Sequence, residues 1–276
     1  MQVRASTILL AFFVSLSACA MRADAADPPV RVLVLKEHGV GSPALAQPYL
    51  DRFVATAAAQ TQWTDAKGQY YTTRAAAEEF IKNEHPHYGI ISLAAFLDFR
   101  IKYGLEIIGK VAVSLIGGQQ YFLISKTQTG LAGCKGKKLA SDHTTDQRFI
   151  ERVVARGAFK LSDFTLDPTQ RPLQTIKEVM LGNADCALID DSQQSELAKL
   201  TGAEELKTVW SSEKLPPMVV AAFPSAPTAE RMRFQKNFSK VCEADARPAC
   251  AEVGILSLDP ASAAEYAAVV AAYGSN

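Results

Sequence analysis

The sequence predicts a two-lobed α/β protein, each lobe a mainly parallel sheet flanked by helices, with two segments crossing between the lobes. Three observations carry this. The apolar runs 30–35, 88–91 and 186–189 are each followed by polar residues and then a helical pattern. Such alternation argues for a parallel α/β sheet, in which ligands bind at the carboxyl ends of strands. Two further strand-like runs, 119–125 and 207–210, adjoin loops at Gly117-Gly118 and at Ser211-Ser212-Glu213-Lys214. A chain that leaves one lobe near residue 118 and returns near 213 fits this order, with a cleft between the lobes. The chain has 276 residues, 48% of them hydrophobic, which is enough for two cores. The expected division is residues 1–25 as a leader, 26–118 plus 213–276 as lobe one, and 119–212 as lobe two.

Taken in order, Val30 to Leu35 is continuously apolar, the pattern of a strand buried on both faces. Ser42 then Pro43 is the preferred pair for an N-cap and first helical position, opening a helix to Ala59. Tyr88 to Ile91 is a short strand, Ser92 sits at its end, and helical spacing runs from Leu93 to Arg100. The stretch KKLASDHTTDQRFI, residues 137–150, reads as a strand ending at Ser141 and a helix beginning near Asp146. Unpaired N–H groups at such a start form a potential anion site beside Thr144 and Thr145. The plainer account makes Thr144 and Gln147 a capping box. Cys186 to Ile189 is a strand, and Asp190-Asp191-Ser192 opens a helix to Leu200. Pro216 to Phe223 is a strand, followed by helices from Thr228 to Val241 and from Ala261 to Tyr273. Asp185 reads as a cap or turn before its strand.

The first 25 residues read as an export signal, with Arg4 followed by the apolar run Ile8 to Leu16, too short for a membrane span. Two processing points compete. Ala23-Asp24-Ala25 is a small-x-small cleavage site, whereas Leu16-Ser17-Ala18-Cys19 resembles a lipobox, making Cys19 a lipidation candidate. The protein is therefore expected in the periplasm or otherwise outside the cytoplasm, soluble or lipid-tethered. Without the leader, 27 basic residues face 28 acidic ones, and no nucleic-acid partner is expected. Beyond Cys19 stand Cys134, Cys186, Cys242 and Cys250, an even number that suggests disulfides in an oxidising compartment. Of the three connectivities, the expected one joins Cys242 to Cys250, close in sequence, and Cys134 to Cys186, each preceding a strand of lobe two.

With this layout in place, the sequence resembles the type II periplasmic solute-binding proteins of the phosphate, phosphite and phosphonate class that serve ABC importers. The likeness covers nearly all of residues 28–274. Its pieces are GKKLASDHTTD, LGNADCALID, SSEKLPPMVVAAF and the closing Ala-rich helix with Tyr266 and Tyr273. The resemblance implies a hinged receptor that closes on a small anionic or zwitterionic solute and hands it to a permease. It matches Thr144 and Thr145 to the hydroxyls of an anion-binding turn, Ser92 to the facing position, and Asp190 to a carboxylate that meets a ligand amine. The family's third hydroxyl is Asp146 here, and a carboxylate at a helix start competes with an anion for the same dipole end. Where the family often has Ser-His, this chain has Gln170-Arg171-Pro172.

Asp191, Ser42 and Tyr121 complete the candidate ligand-binding set. The aromatics Tyr70-Tyr71, Tyr121-Phe122 and Trp210 read either as cleft lining or as core. Enzymatic activity is not expected: there is no Gly-x-Ser-x-Gly elbow, and Gly133 to Lys137 lacks the P-loop spacing. His85-Pro86-His87 reads as a polar loop rather than a metal site, and no cofactor is expected. The alternative to transport is a sensor module that presents its closed form to a membrane receptor; in either case the protein is expected to be a monomer.

Overall fold

The structure, a computed structural model, describes residues 29–37, 42–114 and 117–275. The expected leader, both processing points and Cys19 lie outside the described residues. In chain order the strands are β1 Val30–Leu35, β2 Ala66–Tyr71, β3 Tyr88–Ile91, β4 Glu106–Val113, β5 Tyr121–Ser125, β6 Lys138–Ser141, β7 Thr165–Pro168, β8 Cys186–Asp190, β9 Lys207–Ser211, β10 Val219–Ala222 and β11 Ile255–Pro260. The helices are α1 Pro43–Thr61, α2 Arg74–Glu84, α3 Leu93–Tyr103, α4 Leu131–Cys134, α5 Pro172–Met180, α6 Asp191–Glu196, α7 Thr228–Lys236, α8 Phe238–Val241, α9 Arg247–Glu252 and α10 Ala267–Gly274.

Two sheets form, ordered β11-β4-β10-β3-β1-β2 and β7-β6-β8-β5-β9. Both are mixed rather than mainly parallel. β1 pairs in parallel with β2 and β3, and β6 with β7 and β8, as the alternating pattern predicts. The antiparallel strands are β5 and β10, each antiparallel to both neighbours, together with β11, which pairs antiparallel with β4. The reason for β5 and β10 is the crossing itself. β4 and β9 run toward the cleft, so the strands that follow the crossings must start at the cleft and run away from it. The crossings are bonded to each other: Leu215 N–H donates to Gln119 O at 2.6 Å, and Tyr121 N–H donates to Ser212 Oγ at 3.0 Å.

Strand alternation sorts the core. Val30 and Val32 of β1 pack with Leu50, Phe53 and Val54 of α1, whereas Leu33 and Leu35 face the opposite side. α1 lies close on β2 because Gly68 has no Cβ; one there would meet Val54 at 2.6 Å. The core containing Leu33 and Leu35 continues through Phe96 and Tyr266 into Tyr121, Phe149 and Leu188, so one apolar cluster spans both lobes. Outer-face residues of lobe two, among them Ile124, Ile176 and Ile189, form a third cluster.

Several expected elements end earlier than their sequence pattern. The strand read over residues 216–223 is only β10, since both prolines precede it and lack an N–H to donate. The helix expected over 228–241 breaks at Asn237, whose side chain bonds Arg233 O. The helix expected to Leu200 stops at Glu196 and becomes a 3-10 turn, Leu197–Lys199. The last helix opens as a 3-10 turn capped by Ser262 and Glu265. α10 then packs on the helix that follows β6, with Arg148 over the Tyr273 ring at 5.4 Å. Both disulfides join the expected partners: Cys134–Cys186, with Cα atoms 6.1 Å apart, and Cys242–Cys250, at 5.6 Å. Among the described residues no helix is long and apolar enough to cross a membrane.

Candidate functional site

The carboxyl ends of β1, β3, β6 and β8 meet at a cavity of about 80 Å³ between the lobes. β1 is pinned there on both sides: Lys36 N–H donates to Tyr71 O at 3.1 Å, and Ser92 N–H to Leu35 O at 2.9 Å. This places Lys36, Glu37 and Ser92 on the lobe-one wall. The Ser92 hydroxyl donates to Glu37 at 3.0 Å, and Arg74 forks onto the same carboxylate at 2.7 and 3.1 Å. Arg74 begins α2, where its charge opposes the helix dipole. Its tertiary partners offset this. Nη2, one of the two nitrogens on Glu37, also reaches across the cleft to Asp146 at 2.7 Å, and Nη1 lies 3.4 Å from Asp98. Burial works against the Arg74 charge, but Glu37 and Asp146 outweigh it and hold the group above its ordinary value.

The lobe-two wall is built on the turn after β6 and the start of α6. The capping box between Thr144 and Gln147, the plainer of the two readings, does not form. Asp146 caps instead, accepting the Phe149 N–H at 2.9 Å, while Gln147 bonds Glu151. A carboxylate is the stronger acceptor at a helix start, and here Arg74 also holds it in place. The helix beyond widens to π-type turns over Phe149–Val154. Asp190 ends β8 and caps α6: its Oδ1 accepts the Gln193 N–H at 2.9 Å, and Gln193 accepts the Asp190 N–H in return at 2.9 Å. The other oxygen accepts the Gly118 N–H of the first crossing at 3.0 Å. Gly118 has φ +74°, which only glycine adopts without strain. The first crossing thus turns at Gly118 and is latched there to Asp190. Behind it, buried Gln193 bonds His143 at 2.9 Å and Asp142 at 3.1 Å.

Of the sequence-predicted ligand-binding residues, Ser92, Tyr121, Thr145, Asp146 and Asp190 line this cavity. Ser42, Thr144 and Asp191 do not. The Ser42 hydroxyl caps α1 by accepting the Leu45 N–H, and Asp191 accepts the Gln119 N–H at 3.3 Å. Tyr121 is buried edge-on to His143 and Phe149, and burial, then Asp190, pushes its hydroxyl well above its ordinary value. Trp210 packs on Phe159 as core. In the His85-Pro86-His87 loop, His87 Nδ1 accepts the Arg31 N–H at 3.0 Å.

Sequence reasoning passes over Lys36, Glu37 and Arg74. For the first two the signal was present, because they directly follow the first apolar strand, where ligands bind in this architecture. Arg74 carries no local signal, as its partners are Glu37, Asp98 and Asp146. Lys36 is the distinctive group. Its ammonium makes no hydrogen bond or ion pair with any described residue; burial lowers its pKa, opposed by the charge of Asp190. Among the described residues the lining carries three carboxylates, Glu37, Asp146 and Asp190, and two cations, Lys36 and Arg74. All three carboxylates already accept N–H donors, whereas the Lys36 ammonium donates to no described residue.

Two mixed sheets, a pair of bonded crossings and a polar cavity between them define the two-lobed fold of type II periplasmic binding proteins. By sequence, no family model and no curated protein matches the chain. The fold is shared with a binding protein component of an ABC phosphonate transporter from Pseudomonas aeruginosa, at 15% identity and TM-score 0.62 over 87% of this chain and 83% of that one. It is also shared with PhnD1 from Prochlorococcus marinus in complex with methylphosphonate, at 9% identity and TM-score 0.63 over 88% and 96%. A third is the periplasmic aliphatic sulphonate binding protein SsuA from Escherichia coli, at 14% identity and TM-score 0.58 over 87% and 83%. At such identities the likeness is one of fold.

Proposed function

We propose that this chain is an extracytoplasmic solute-binding protein, acting as a monomer without catalysis, that closes on a small anionic or zwitterionic solute and delivers it to an ABC importer. The observation that carries the reading is the Lys36 ammonium, which has no partner among the described residues and lines a polar cavity at the strand ends between two lobes. A partly desolvated cation without an acceptor is met by an oxyanion. The cavity is far smaller than the several hundred Å³ of a drug-sized pocket, which favours a compact phosphonate or sulfonate head. Structural neighbours that bind phosphonate and sulfonate support the same chemistry, and two disulfides fit an oxidising compartment.

The test is native mass spectrometry of protein purified from its own host, followed by calorimetry with methylphosphonate, methanesulfonate and their aminoethyl counterparts. Binding of at least one oxyanion is expected, lost by roughly ten- to a hundredfold in Lys36→Met, as for a hydrogen bond to a charged group. No binding by any of the four, or equal affinity in Lys36→Met, refutes the reading.

A further inference from the structure

A second cavity, of about 320 Å³, lies inside lobe one between α1 and the sheet. Leu50 and Phe53 of α1, Val113 of β4 and Met218 form much of its apolar wall. Lys36 and Met218 line both this cavity and the interlobe one, so the two spaces adjoin at the same two side chains. Strand alternation carried one residue past β1 sets Lys36 on the face of Val32 and Val34, the face that packs on α1. The lysine stem belongs to the apolar side, while Asp190 of the other lobe favours its charged form.

Polar groups on this wall are few. Glu252 is paired with Arg52, and Tyr49 stands half in solvent. The Tyr70 hydroxyl makes no hydrogen bond with a described residue, and burial raises its pKa. Lys36 and Tyr70 are therefore two donors on one sheet face, neither hydrogen-bonded through its side chain to a described residue. The wall is mostly apolar and partly open to solvent, so covering it takes apolar surface out of water. Unmatched donors beside an apolar wall point to one kind of occupant, an acceptor-bearing head attached to an apolar body.

We propose that the solute is an amphiphilic monoanion whose oxyanion head is held at Lys36 between the lobes and whose alkyl chain runs past Met218 into the lobe-one cavity. This rests on the interlobe site described above and adds to it where the apolar part of the solute goes. The interlobe cavity selects the head; the lobe-one cavity selects for chain length.

Calorimetry with methane-, butane- and octanesulfonate on the full protein tests this. Each buried methylene is worth a factor of about four in affinity, so binding should tighten steeply along the series until the chamber is full. Ala46→Phe, which builds a ring into the cavity from α1, should lower the ratio of octane- to methanesulfonate affinity by about tenfold or more. Val113→Phe fills the same space from the sheet, and either variant counts once its circular dichroism and melting are native-like. Affinity that does not change along the series in the native protein overturns the proposal, as does an unchanged ratio in a folded filling variant. Failure of the interlobe site would look different: none of the three sulfonates would bind.

Discussion

Asp146 does two jobs that substitution can separate. Its Oδ1 accepts the Phe149 N–H, and its Oδ2 pairs with Arg74 across the cleft. Asp146→Asn retains the first and removes the second; Asp146→Ala removes both. The side chains of Asp146 and Arg74 are 14% and 21% exposed, so the pair lies between a surface bridge, worth about 0–1 kcal/mol, and a buried one, whose loss costs about 3–5 kcal/mol. Arg74 keeps its fork on Glu37 after the change, so no cation is stranded, and we expect a loss of about 1–2 kcal/mol for Asn. Alanine should add about 1 kcal/mol for the lost cap. The pair joins the two lobes, so its contribution falls on the closed form alone. Losing 1.4 kcal/mol shifts closed against open by about tenfold. Small-angle scattering of the ligand-free protein, or fluorescence transfer between labels on the two lobes, should show Asp146→Asn more open than the native chain. Equal dimensions for the native protein and Asn, with Ala costing only the cap, would refute the reasoning.

Two further outcomes follow from named groups. Burial lowers the Lys36 pKa from 10.5, so the folded chain releases this proton at a lower pH than the unfolded one does. Stability therefore rises with pH between the lowered value and 10.5, while oxyanion affinity, which needs the ammonium, falls over the same interval; titration calorimetry across pH should show that fall, and Lys36→Arg should remove it. Breaking Cys134–Cys186, which closes a separation of 52 residues, should cost about 4 kcal/mol, against about 2.5 kcal/mol for Cys242–Cys250 at a separation of 8. Denaturant melts of the two double-alanine variants in the reverse order would contradict the loop-closure account.

Hydrophobic pattern and punctuation by themselves determined the two lobes, the crossings and most strand-to-helix junctions. Those features are local: an apolar run has period two or none, Ser42 can cap only its own helix, and Gly117-Gly118 marks a turn whatever lies nearby. Strand direction at β5 and β10 was not readable, because it depends on which end of the sheet the chain enters, and that is set by the crossing. The site divides in the same way. Ser92, Thr145, Asp146 and Asp190 were found because each sits at a strand end before a helix. Only the tertiary structure decided which polar groups there are already satisfied. Asp190 is used by Gly118 and Gln193, and Asp146 by Phe149 and an arginine 72 residues earlier in the chain, while the Lys36 ammonium has no acceptor among the described residues. Charge and hydrogen-bond satisfaction are sums over neighbours in space, and neighbours drawn from both lobes exist only once the chain has closed on itself.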